Sequence, residues 1–100
     1  MVELPDGFDA VLHPPARLQI AAVLANVSNA EFAKLRELVG VSDSVLSKHL
    51  AALAEAGHIK LSKAASDGRQ RTWASLTRSG RSAFKAHVAA LEALIASASE

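Results

Sequence analysis

Cysteine is absent from the 100-residue chain, so neither a disulfide framework nor a thiolate metal site can be built. Long apolar runs are missing too. Every apolar stretch is too short to span a bilayer, and the start, MVELPDGFDAVL, lacks the basic lead and apolar core of a secretion signal. A cytoplasmic protein without membrane contact is expected. The sequence has no glycine-rich phosphate loop, no paired carboxylates placed on a pocket wall and no nucleophile elbow. Ser47 and His49 stand at i and i+2 of one segment, where side chains on a helix diverge, so they do not form a dyad. The chain is therefore read as a binding protein and not an enzyme. There is no internal repeat and no long linker.

Half of the residues are apolar, enough for one domain with a modest core. The net charge is only +1, but it is unevenly spread. Lys34 to Lys85 holds ten bases against four acids, +6 in all, which leaves −5 for the two ends together. Basic charge gathered in the middle of the chain favours a polyanionic partner contacted there.

The stretch Ser42 to Gly57 organises the rest. Ser42 suits a helix N-cap, and Asp43 puts negative charge where the helix dipole is positive. Leu46, Leu50 and Leu53 fall at i, i+4 and i+7 and form one apolar stripe. Ser44, Ser47, Lys48 and Ala51 lie on another side, and Gly57 suits a left-handed C-cap. A leucine seam behind a small, hydroxylated and basic outer face fits the major groove of DNA, about 12 Å wide.

Upstream, residues 1–13 are expected to form an arm or a short helix, ended by His13-Pro14-Pro15. A helix opened by the prolines should run to about Asn26, and its core, LQIAAVLA, is apolar almost all round. Such a helix needs cover on more than one side, which a second copy of the chain could give. Ser28-x-x-Glu31 matches a capping box, with Val27 and Phe32 at hydrophobic-staple positions, so the next helix should start there and run to about Val39. Gly40-Val41 then links two helices closely, as in a helix-turn-helix.

After Gly57 the period drops to two. Ile59 and Leu61 alternate with polar residues, Thr72 to Leu76 supplies a second strand, and Asp67-Gly68 between them signals a hairpin with a basic tip. Thr77 suits the cap of a last helix running to about Ser97, its end fraying after Ile95. Phe84, Val88, Leu91 and Ile95 form its stripe, widened by Ala83, Ala90 and Leu94.

This order of elements resembles the winged helix-turn-helix regulators of the arsenic-repressor (ArsR) and multiple-antibiotic-resistance-regulator (MarR) type. Ser42-x4-Ser47-x-His49-Leu50-x2-Leu53-x2-Ala56-Gly57 is similar to the recognition helix of the first, and Leu76-Thr77-x2-Gly80-Arg81 to the strand-to-helix junction of the second. The implied fold is α+β, mainly α, with a three-helix core, a two-stranded wing and a long C-terminal helix over residues 14–97. The resemblance implies a homodimer, a repressor acting on double-stranded DNA, with which a small-molecule effector is compatible. Carried over by position, Ser42, Ser44, Val45, Ser47, Lys48 and His49 would face DNA, joined by Lys63, Arg69 and Arg71 of the wing. Leu18, Ala22, Phe84, Val88, Leu91, Leu94 and Ile95 would form the dimer seam.

No cofactor is expected. The chain departs from the metal-sensing members in lacking the cysteine pair before Gly57, and its four histidines follow no recognised ligand spacing. His13, His87 and Glu92 could meet across a dimer seam, but histidines on alanine-rich helices are expected at interfaces or on the surface. The competing reading is a winged-helix interaction module that binds protein and not DNA. Such modules tend to lose the basic wing tip or cover the outer helix face with acids, and here both basic features remain.

Overall fold

In the computed structural model, which describes residues 3–98, helix α1 (Pro15–Leu24) begins behind the proline pair as expected. Pro15 fills the first helical position, where a missing N–H costs nothing. Ile20, Ala21 and Leu24 are buried, whereas Leu18, Ala22 and Val23 keep part of their surface. A helix that reads as apolar all round is thus covered fully on one side.

Helix α2 (Phe32–Val39) starts differently from the sequence expectation. Glu31 occupies the cap position with no side-chain cap bond, and Val27 is 42% exposed, so neither the capping box nor the staple forms. The reason lies elsewhere in the chain. Ala30 and Glu31 make a short strand β1 (Ala30–Glu31) that pairs with Ala74 and Trp73, and the Glu31 carboxylate accepts from the Arg71 guanidinium. A charge-assisted bond together with strand pairing outcompetes a reciprocal cap. Gly40, at φ +74, ends α2 in the left-handed conformation that glycine reaches without strain.

Helix α3 (Asp43–Glu55) forms as its signals require. Ser42 Oγ accepts from Val45 N–H at 3.3 Å. At the other end Gly57 has φ +82, its N–H donates to Ala54 O, and His58 N–H donates to Leu53 O. These two bonds are a Schellman motif. Leu46, Leu50 and Leu53 point into a core shared with Leu12, Ile20, Leu24, Leu35, Ile59 and Ala74. Each such leucine contributes roughly 1.5–3 kcal/mol by leaving water.

Strands β2 (Ile59–Ser66) and β3 (Arg69–Leu76) form the hairpin. Asp67 (φ 52) and Gly68 (φ 74) are both left-handed, the two-residue turn whose twist matches that of the strands. With β1 the sheet has three antiparallel strands in the order β1-β3-β2, one more than the two-stranded wing expected. Ile59 and Ala74 are buried at the base of the wing, and residues 60–65 of β2 are exposed.

Thr77 caps helix α4 (Arg78–Ala98): its Oγ1 accepts from Gly80 N–H at 2.8 Å and donates to Gly57 O at 2.7 Å. Gly80 lies against the backbone of His58, where a Cβ would stand 1.9 Å from the carbonyl oxygen. Arg81 donates to Ala25 O at 2.9 Å, tying α4 to the end of α1. The motif Leu76-Thr77-x2-Gly80-Arg81 is therefore a joint made of a cap, a close approach and a tether. The helix is continuous to Ala98, beyond the point where fraying was expected, and Ser99 and Glu100 lie outside the described residues.

Of the expected N-terminal arm, Met1 and Val2 also lie outside the described residues. From Pro5 to His13 the chain makes turns that lie on α4 and on the start of β2. Asp9 organises them: its Oδ1 accepts from Val11 and Leu12 N–H, its Oδ2 meets His58 Nε2 at 2.9 Å, and its own N–H donates to His87 Nδ1 at 2.9 Å. Leu12 is fully buried.

His87, expected at a surface or interface, is fully buried instead. Its ring lies 4.9 Å from Phe8 and 5.5 Å from His13, centroid to centroid, both edge-on and within one chain. No local sequence signal marks this burial, because the residue's cover comes from a segment 78 positions away. Since a backbone N–H can only donate, Nδ1 is bare and the ring proton sits on Nε2. Burial pushes the His87 pKa below its usual value, His13 adds to that, and Asp9 opposes it.

Candidate nucleic-acid interface

The side of α3 opposite its leucines is open. Ser44, Val45, Ser47, Lys48 and Ala51 are exposed, as is the capping Ser42, so five of the residues expected to face DNA are open to solvent. The acid in the first turn is offset. Asp43 pairs with Arg36 of α2 at 2.7 Å, an exposed bridge that adds little stability but balances the negative charge on this face.

His49, the sixth residue on α3, turns toward α1. It is half-buried, and its Nδ1 accepts from Arg17 Nε at 3.1 Å. Arg17 escapes a sequence reading because it is an isolated base in an otherwise apolar helix. Its guanidinium also donates to Val11 O at 3.2 Å and forms no ion pair among the described residues.

On the wing, Lys63 and Arg69 are exposed, whereas Arg71 is half-buried. Arg71 bonds to Glu31 and donates to Ser66 O at 3.4 Å. The two arginines of the expected basic tip therefore differ: one is at the turn and open, the other is braced against β1. Arg71 also lines an open hollow of about 500 Å³ with Lys34, Arg36, Glu31, Glu37 and Ala33, between α2 and the wing. Lys34 and Arg36 extend the basic surface, and no local sequence signal links them to Arg71; the pairing of β1 with β3 brings them together.

The expected dimer residues also remain partly uncovered. Leu18, Ala22, Phe84, Val88, Leu91 and Leu94 are half-buried, and Ile95 is 66% exposed. Among the described residues no three His, Asp or Glu side chains gather as a metal site would need, and no helix is long and apolar enough to cross a membrane.

Comparison with known proteins agrees with this geometry. Residues 16–95 match the family model described as a winged helix DNA-binding domain. An uncharacterized protein of Methanocaldococcus jannaschii is 32% identical over 78 residues, covering 78% of this chain and 85% of the relative. Among solved structures, a transcriptional regulator homologue from Pyrococcus horikoshii superposes with a TM-score of 0.81 at 28% identity, covering 87% of this chain and 86% of that one. ZitR of Lactococcus lactis, at 28% identity and a TM-score of 0.66, covers 86% of this chain and 57% of its own. With α3 capped at both ends, its polar face open and a basic hairpin beside it, the chain belongs to the winged helix DNA-binding domain family.

Proposed function

We propose that this protein is a sequence-specific DNA-binding transcriptional regulator in the cytoplasm, acting as a homodimeric repressor that occupies its promoter. The observation that carries this reading is the outer face of α3, where Ser44, Ser47 and Lys48 stand exposed on a helix anchored from behind by buried leucines. Residues 14–97 form the working unit. In it Ser42, Ser44, Val45, Ser47, Lys48 and His49 meet the major groove, and Lys63, Arg69 and Arg71 approach the flanking backbone. Arg71 does so while sharing its charge with Glu31.

The dimer joins α1 and α4 of two copies, because Leu91, Leu94 and Ile95 carry apolar surface that one chain leaves uncovered. Two-fold symmetry then sets the two α3 helices about 34 Å apart, one turn of duplex. Repression follows from the regulator type that the sequence resembles. The test is to select duplex fragments with the purified protein and to sediment it at micromolar concentration. A repeated, two-fold symmetric site and a dimer are expected. A protein that sediments as a monomer, or that retains no duplex even at low salt, overturns the reading in favour of an interaction module.

A further inference from the structure

Arg17 reaches across from α1 to a residue of the proposed reading face, and the bond it makes fixes the chemistry of that residue. A guanidinium nitrogen can only donate. His49 Nδ1, 3.1 Å from Arg17 Nε, must therefore be the acceptor, and the proton of the neutral ring is placed on Nε2. That second nitrogen has no bond within the chain among the described residues, yet it is not sealed from solvent as the Nε2 of His87 is. Arg17 is itself held. Its Nη1 donates to Val11 O, and Val11 is fixed by the Asp9 side chain that also engages His58, while the Asp9 backbone N–H engages His87.

We propose that Arg17 is a positioning residue for DNA recognition: it locks His49, at the α1 edge of the α3 outer face, as an Nε2–H donor, so that this position takes a hydrogen-bond acceptor and refuses a donor. The inference rests on the DNA-binding reading and adds to it the polarity of one contact. Acceptors on a duplex come from two sources, a phosphate oxygen or the purine N7, guanine O6 and thymine O4 of the major groove; the cytosine amino group is refused. A free histidine exchanges tautomers and could satisfy either kind of partner. One held at Nδ1 cannot.

The test has a spectroscopic arm and a binding arm. Imidazole nitrogen-15 spectra of the full chain, recorded on the neutral ring, should show His49 with a bare Nδ1 and a protonated Nε2. Arg17→Met should give a mixture of tautomers, and Arg17→Gln, which keeps a donor without the charge, should restore the wild-type pattern. On a duplex selected by the wild-type protein, Arg17→Met and His49→Ala should each weaken binding about three- to tenfold, as for one lost hydrogen bond. The double variant should be no weaker than either single one, and Arg17→Gln should recover most of the loss.

An equal loss on operator and random DNA identifies a phosphate as the acceptor, and a loss confined to the operator, with relaxed choice at one position, identifies a base edge. A proton found on Nδ1 of wild-type His49 overturns the proposal. So do additive losses in the double variant, or an Arg17→Gln protein as weak as Arg17→Met, since Arg17 would then act through its charge alone. If the wild-type protein holds no duplex at low salt, the DNA-binding reading fails first and takes this role of His49 with it, a failure seen before any variant is made.

Discussion

Helix α3 and the wing lie side by side and are built in opposite ways. Behind α3 stand three leucines with at most 2% of their surface exposed, and both of its ends are closed by hydrogen bonds. The hairpin buries Ile59 and Ala74 at its root and is joined to the body by β1, where Glu31 pairs with Trp73 and bonds Arg71; beyond Arg71 it is held by its ladder and its two-residue turn. The helix is therefore a fixed surface, whereas the wing tip can follow the path of a phosphate backbone. Base contacts need fixed geometry and phosphate contacts need charge within reach, so the two constructions suit the two tasks.

The contrast breaks most severely through the core. Leu53→Ala should cost about 2–5 kcal/mol, because the buried stripe would leave a cavity that neighbouring helices fill only in part. Urea unfolding would show the loss, and DNA binding should disappear with the fold. Acid comes next and acts on the body but not on the wing. His87 is held below its usual pKa, so the unfolded chain takes up the proton more readily than the folded one. Its contribution is present above about pH 6.5, the ordinary histidine value, and is lost as the pH falls below it, by at most about 1.4 kcal/mol per pH unit. His87→Gln should flatten the urea midpoint between about pH 7.5 and 5.5 relative to wild type.

The wing answers to smaller changes. Gly68→Ala places a side chain at φ +74, a strain of about 1–2 kcal/mol, yet the turn lies beyond the bond between Arg71 and Glu31, so hydrogen exchange should rise around the turn and little elsewhere. Arg69→Ala should leave stability within about 0.5 kcal/mol of wild type. It should lower the salt slope of binding by about one unit, equally on operator and random duplexes. An unchanged slope would remove Arg69 from the backbone contacts and blur the contrast.

What the sequence makes legible follows from the range of the interactions. Ser42, the leucine stripe and Gly57 act within one helix, and Asp67-Gly68 acts within one turn, so their roles could be read from spacing alone. Ser28 and Glu31 also looked local, but the carboxylate was claimed by Arg71, 40 positions away. The burial of His87 and the bond between Arg17 and His49 were out of reach for the same reason. Each joins segments that only the assembled core brings together. The candidate DNA face was thus legible along α3 and at the turn of the wing, and not where α1 and β1 support it.

Gly80 has a consequence for the DNA rather than for the fold. The helix that would join two copies leaves the body at a point set by how closely its first turn approaches the carbonyl of His58. In a dimer built on α4, that approach fixes the phase between the two operator halves along the duplex. A methyl group there would tilt the axle on which both halves are mounted. The Gly80→Ala protein, if it still pairs, is therefore expected to choose half-sites at a different separation from a library of spacings, its preference within each half unchanged.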